Sequence, residues 1–394
     1  MLRNVCFLIA AAVVSLTVVS VSLACPFCSA PSLTLTEQLT QSDAVALVKW
    51  AGGTPAKGQD AGDTIYEVLE VVKQPDGGKL ATGNRVTLVR YRSGTPSDQY
   101  LLLGTRGGAV IDWGSPMEVT ETSFKYMKEA PKPDVSPAKR MQYFVKFLEH
   151  PDKVISDDAY GEFASTAYGD IVQITQEMPR EKLREWIVNP EISPSRLGLY
   201  GMMLGLCGTA DDIPLLEQKI FSSSEEFRLG IDGIMGGYLL LTKDAGLAKL
   251  DEEKLKNRKA PFSETYAAMQ AIRFMWQYGD GQISADRLRQ SMRVLLDRPE
   301  LADLVIADLA RWKDWSVQSQ LMELYGAEEY DSPSIKRAVV RFMMASTKDV
   351  PPSKEGEPAA ELPEHAKLGA KYLAELEQKD PKTVSEAKRF FFLK

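Results

Sequence analysis

The apolar residues of this chain change their spacing once, at a proline-rich stretch covering residues 131–137. Before it, short runs rich in β-branched residues alternate with glycine, proline and aspartate, a pattern typical of short strands. After it, apolar residues recur every three or four positions, as in Met141, Phe144, Val145 and Leu148, a pattern typical of amphipathic helices. The sequence therefore predicts an α+β multidomain chain in which a β part precedes an all-α part.

Five apolar runs in the first part predict five β-strands. They cover residues 44–50, 64–72, 85–91, 100–103 and 109–113. Glycine, asparagine or aspartate lies at or near the ends of these runs, as expected where turns join antiparallel strands. The pattern predicts a small antiparallel five-stranded sheet or barrel.

The helical part contains a weak internal recurrence. Five similar apolar segments begin at Leu199, Ile231, Met269, Ile306 and Ala338. These starts are 32, 38, 37 and 32 residues apart. Such spacings are typical of stacked helix pairs in an α-solenoid, and an irregular helical bundle is the alternative. Several of these segments are rich in glycine, which lowers helix propensity, so we interpret the glycines as places where two helix backbones approach closely.

The first residues have the pattern of a secretory signal peptide. Arg3 precedes an uncharged, mostly apolar run, and the small residues Ser22 and Ala24 occupy positions −3 and −1 before Cys25. We therefore expect an exported protein of the periplasm or cell envelope, or a secreted one. A lipoprotein cut would make Cys25 a lipid attachment site, and a retained membrane helix is a further alternative.

Changes in composition predict six divisions of the chain. They are a signal peptide at 1–24, a β-barrel at 25–130, a linker at 131–137, a helical-repeat domain at 138–349, a flexible proline-rich segment at 350–364 and C-terminal helices at 365–394. The net charge of −7 argues against nucleic acid as a partner. Only His150 and His365 are histidines, and no phosphate-binding loop is found, so we predict no metal site and no cofactor.

The sharpest local motif is Cys25-Pro26-Phe27-Cys28. Glutaredoxin-like proteins use a similar motif for dithiol chemistry, but there it follows a strand and precedes a helix. We interpret Cys25 and Cys28 as a local structural, binding or anchoring pair. Cys207 lies in an apolar helical segment and is interpreted as a core thiol.

Two kinds of charged cluster are candidate sites of lower specificity. Acidic pairs at 157–158, 211–212, 252–253 and 328–329 are interpreted as helix caps and solvated side chains. The densest polar and aromatic cluster consists of Asp308, Arg311, Trp312, Asp314 and Trp315. We interpret it as a buried tryptophan pair flanked by surface ion pairs, and a ligand groove is the alternative.

Several motifs of the β part occur together in one known family. They are the cysteine pair 25 and 28, residues 42–45 before the first strand, residues 66–68 with Lys73 in the second, and residues 102–104 in a later strand. As a set, residues 25–130 resemble the netrin-like domain of tissue inhibitors of metalloproteinases, a barrel of the oligonucleotide/oligosaccharide-binding (OB) type. The resemblance implies that the α-amino group and carbonyl of Cys25 chelate the catalytic zinc of a target protease. Two residues separate the cysteines here where the family has one, and its later barrel cysteines are missing.

The expected function follows from this architecture. The helical part resembles HEAT-type repeats in a general way, and the whole chain resembles exported bacterial proteins. Helical arrays and small barrels expose long surfaces and loops to partners, so we expect a non-catalytic binding or scaffolding protein whose partner is another protein. The alternatives are a metalloproteinase-inhibitor-like module acting through Cys25, and a dithiol redox protein using Cys25 and Cys28.

Overall fold

The structure, a computed structural model, describes residues 24–29, 32–78, 80–108, 110–222, 227–351 and 361–389. The expected signal peptide, apart from its last residue, and most of the proline-rich segment lie outside these ranges. Within them, one short helix precedes a sheet, and a long series of helices follows. This order confirms an α+β chain with its β part first.

The elements are numbered along the chain. The strands are β1 (Ala44–Thr54), β2 (Asp63–Lys73), β3 (Arg85–Leu88), β4 (Gln99–Gly107), β5 (Val110–Trp113) and β6 (Met117–Glu118). The helices are α1 (Leu35–Gln41), α2 (Glu121–Glu129), α3 (Pro137–Phe144), α4 (Lys153–Ala164), α5 (Tyr168–Val172), α6 (Arg180–Val188), α7 (Leu197–Cys207), α8 (Ile213–Phe221), α9 (Ile231–Leu250), α10 (Phe262–Tyr278), α11 (Ala285–Val294), α12 (Ala302–Arg311), α13 (Gln318–Leu324), α14 (Pro333–Lys348), α15 (Glu364–Lys379) and α16 (Pro381–Arg389).

The sheet is antiparallel and open. Its strand order is β3-β2-β1-β4-β5, and the short β6 pairs with β4 beside β5. The five expected strands are present, but β3 and β5 do not pair with each other in the described part of the chain. The described strands thus form an antiparallel sheet that is not closed into a barrel, and the expected barrel is not confirmed. Three register shifts interrupt the pairing of β1 with β2, and such bulges locally bend a strand and increase its twist.

Both faces of the central strand β1 are buried. Val45 and Leu47 point to one face and join the large core that continues through the helices. Ala46 and Val48 point to the other face and join a small separate core with Tyr66. Side chains of a strand alternate between its faces, so this double burial explains why β1 reads as a continuous apolar run. The sheet thus packs one face on the helical part and curls around its other face.

Glycines bring α7 and α9 into backbone contact. A Cβ added to Gly201 would lie 2.5 Å from the Cα of Ile234, and one added to Gly205 would overlap Gly237. The interpretation of these glycines as close-approach positions is confirmed. Larger residues there would push the two helices apart, since interiors leave few voids.

Buried ion pairs join helices along the all-α part. The clearest are Arg228–Glu264, Asp251–Arg287 and Arg273–Asp308, whose partners lie 36, 36 and 35 residues apart. Contacts between long helices also join elements close in sequence, such as α9 with α10 and α12 with α14. Each helix therefore packs mainly on its neighbours along the chain.

Candidate functional site

The predicted cysteine pair is held against the helical part. Cys25 and Cys28 form a disulfide with a Cα–Cα distance of 5.4 Å, and Cys25 is only 4% exposed. The amide N–H of Cys25 donates to the carbonyl of Ala164, the last residue of α4, at 3.3 Å. Ser29 donates its N–H to the Tyr160 hydroxyl at 3.3 Å. We call residues 25–28 the N-terminal loop.

The ring of Phe27 occupies a slot made by glycines. A Cβ added to Gly236 would lie 2.7 Å from this ring, and one added to Gly198 would lie 2.6 Å from the Phe27 carbonyl oxygen. The ring centroid of Phe274 is 4.8 Å away, and Tyr168 packs edge-on against Phe274. The absence of two side chains on α7 and α9 is thus what admits the N-terminal loop.

Asp158 anchors the chain just after the N-terminal loop. Its Oδ1 accepts the amide N–H of Leu35 at 2.6 Å, and its Oδ2 accepts the Tyr126 hydroxyl at 2.8 Å. Burial raises the pKa of Asp158 to about 6. Asp158 belongs to the acidic pair 157–158, which the sequence led us to interpret as a helix cap or as solvated side chains. That interpretation is wrong for Asp158, which ties α1 and α2 to α4.

Asp212, in the acidic pair 211–212, is also buried, although the sequence led us to expect solvated side chains there. Its carboxylate is fully buried and accepts from Arg180 Nε at 2.7 Å and from Arg184. It also closes a capping box with Thr209, so the expected cap is present. The side chain is nevertheless an interior ion-pair partner, and its arginine partners hold its pKa below the usual range against the effect of burial.

The cluster around Trp312 is arranged differently from the prediction. Trp312 stacks on Trp276 with ring centroids 4.2 Å apart, while the indole N–H of Trp315 donates to Asp349 at 2.7 Å. Asp308 is buried and bonds Arg273 Nε at 2.6 Å. The ion pairs that we expected at the surface thus contain a buried acid. Trp312 and Trp315 do not pair with each other, contrary to the expectation.

Cys207 and His150 are two further candidates from the sequence. Cys207 is a half-buried free thiol, and burial raises its pKa to about 11, so little nucleophilic thiolate forms near neutral pH. His150 lies in the loop before α4, where its Nδ1 accepts the amide N–H of Asp152 at 3.0 Å. Neither residue contacts the disulfide in the described structure.

A cleft on the sheet was not predicted from the sequence. A cleft of about 810 Å³ runs between the region after β3 and the edge strand β5, with Tyr66 of β2 in its wall. Its lining includes Arg90 and Arg92 on one side and Ile111 and Trp113 on the other. We call it the sheet cleft.

Some polar groups of the sheet cleft have hydrogen-bond partners among the described residues, and others have none. Arg92 donates to Glu118 at 3.2 Å and lies 4.8 Å above the ring of Tyr100. Tyr66 is fully buried, and its hydroxyl has no hydrogen-bond partner among the described residues. Burial raises the pKa of Tyr66, so its hydroxyl keeps its proton near neutral pH. A buried hydroxyl without a partner is uncommon and costs stability.

Among the described residues, neither a metal-binding cluster nor a membrane-spanning helix is found. No group of three or more His, Cys, Asp or Glu side chains there is arranged to hold a metal ion. No helix in those ranges is long and apolar enough to cross a membrane.

Comparison with known proteins finds no match to a family model, to a curated protein or to a solved structure.

Proposed function

We propose that this protein is an exported, non-catalytic binding or scaffolding protein of the cell envelope, and that it holds a partner protein in the sheet cleft. The observation that carries the proposal is the cleft itself, which combines an apolar wall, two arginines and a buried hydroxyl without a partner among the described residues. Binding sites are concave and mostly apolar, with a few convergent polar groups.

The exposed edges beside the cleft support a protein as the partner. Val89, just after the end of β3, is 85% exposed, and Val110, at the start of β5, is 68% exposed. The two strands form the two ends of an open sheet. Unpaired strand edges with apolar side chains are templates for pairing with another chain.

The geometry of the N-terminal loop favours an anchoring role for the cysteines. Zinc chelation would require the amine and carbonyl of Cys25 to face outward, whereas its amide N–H is bonded to Ala164. Dithiol exchange would require attack on a sulfur, whereas Cys25 is only 4% exposed and Cys28 is half-buried. A thioether to lipid would require a Cys25 sulfur that is free of Cys28.

The finer architecture also belongs to this proposal. A bent antiparallel sheet around its own small core supports an OB-like module that is open on one side. Ion pairs between residues about 35 positions apart support a helical-repeat array. Stacked repeats would supply a rigid body on which the sheet is mounted.

Selection of displayed random peptides on the purified protein tests the proposal. We expect the enriched peptides to lose about tenfold or more in affinity for Trp113→Ala, as for an aromatic anchor. Trp186→Ala, which truncates a half-buried tryptophan on α6, is the matched control and should bind as the wild type does. Circular dichroism must show that both variants are folded. Peptides that bind equally to both variants, or no enrichment at all, would contradict the proposal.

A further inference from the structure

We infer that the partner binds as an extended strand that pairs with the free edge of β5 and directs acidic side chains toward Arg90. This inference rests on the proposed function, because it names the mode of binding in the same sheet cleft. It excludes a folded partner surface that would use side chains alone.

The edge strand β5 is presented for pairing. It pairs with β4 on one side only, from Gly104 opposite Trp113 to Gly107 opposite Val110. Its residues Ile111 and Trp113 are half-buried and line the cleft. An added strand would lie about 4.8 Å from β5 and place alternate side chains on these two residues.

The hydroxyl of Tyr66 offers a donor inside the cleft. It is buried, protonated and without a partner among the described residues. The backbone of an added strand carries a carbonyl at every residue, so a strand supplies acceptors at closely spaced positions. A carbonyl of the added strand would accept from this hydroxyl once the side chains that cover it move aside.

The charges in the cleft select the side chains of the strand. The backbone of Arg90 is fixed, since its carbonyl accepts the Thr64 hydroxyl at 2.7 Å. Its side chain is exposed, and no ion pair or side-chain hydrogen bond joins it to another described residue. Arg92 is partly neutralised by Glu118, and Asp112 lines the β5 side. Arg90 itself lies across the cleft from β5, so a carboxylate of the added strand on that side would face its guanidinium.

The test uses an end-blocked octapeptide that alternates valine and glutamate, titrated into the full-length protein and followed by tryptophan fluorescence. A second peptide carries N-methyl groups on alternate amides, which remove the ladder donors and keep the side chains. A third carries lysine in place of glutamate. The protein variants are Arg90→Glu in the cleft and Arg85→Glu on β3 outside the cleft lining as the charge-matched control.

We expect the N-methylated peptide and the lysine peptide each to bind at least about tenfold more weakly than the first. Arg90→Glu should reverse the preference between glutamate and lysine peptides, and Arg85→Glu should not. Tyr66→Phe should weaken binding several-fold while leaving the unliganded protein as stable as before or more so, because the lost hydroxyl has no partner among the described residues.

Three results would overturn the inference. They are equal binding of the methylated peptide, loss of the charge preference in the control variant as well, or absence of saturable binding of the glutamate peptide. If cleft-dependent ligands from the display selection are insensitive to backbone methylation, strand pairing fails while the proposed function stands. If no ligand depends on Trp113, the proposed function itself fails.

Discussion

Replacing Phe27 with alanine tests whether the N-terminal loop is part of the folded core. The Phe27 ring is 9% exposed and packs on Phe274 at 4.8 Å. Truncating a buried phenylalanine costs about 3–5 kcal/mol. Because the slot lies near the surface, we expect the lower end, a loss of about 3 kcal/mol in the free energy of unfolding. Urea titration followed by tryptophan fluorescence measures it.

A double-mutant cycle with Gly236 makes the test specific to the slot. In an otherwise normal helix, Gly→Ala stabilises by about 1 kcal/mol. Here the new Cβ would lie 2.7 Å from the Phe27 ring, and such overpacking costs about 1–3 kcal/mol. Gly236→Ala should therefore destabilise the wild type by about 1 kcal/mol. In Phe27→Ala the cost should disappear or turn into a small gain, below about 1 kcal/mol, because Phe274 still lies 3.3 Å from the new Cβ.

The control is Val89→Ala, which truncates an exposed residue and should change stability by less than about 0.5 kcal/mol. A loss below about 1 kcal/mol for Phe27→Ala would show that the loop is not docked. Equal effects of Gly236→Ala in both backgrounds would show that the glycine is not there to admit the ring.

Three further predictions concern the scaffold. The folded-state pKa of Asp158 is raised to about 6, above the unfolded value of about 3.9, so its contribution to stability should decline by about 2 kcal/mol as pH rises from about 4 to about 6. Asp158→Asn should remove this decline in urea titrations across that range. Gly201→Ala should lower the thermal midpoint because its Cβ would meet Ile234, whereas Gly169→Ala, with open space around it, should not. Arg273→Met should cost about 3 kcal/mol in urea unfolding because it leaves Asp308 buried with one partner fewer; a cost near zero would mean that the pair is solvated.

The local pattern of the sequence was sufficient for the strands but not for their closure. Apolar runs rich in β-branched residues, bounded by turn residues, identify β1 to β5, since both signals depend on neighbours along the chain. Whether β3 meets β5 depends on the twist and on the register shifts beside Val45, Leu47 and Trp50, which no local pattern encodes. β6 is two residues long and leaves no periodic signal, whereas the capping box of Thr34 and Glu37 at α1 was a readable signal that was missed.

The candidate residues show the same division. The interpretation of the glycines was confirmed because repeated glycines weaken a helix unless a close backbone contact compensates for them. Asp158 and Glu162 lie at helical spacing from Ile155, Ala159 and Phe163, on the buried face of α4. This helical spacing was a signal in the sequence that the two acids are buried. It deserved more weight than the general preference of acidic side chains for solvent. Residues of the sheet cleft come from separate strands, so their proximity exists only in the fold.

The docking of the N-terminal loop sets an order of events in biogenesis. The loop leaves the ribosome, and by our expectation the export channel, before any helix of the all-α part. Its slot is completed by Ala164, Gly198, Gly236 and Phe274, which follow much later. The first described residues of the chain are thus among the last that can reach their final position, and any chain that stops before α10 leaves Phe27 without the Phe274 ring on which it packs.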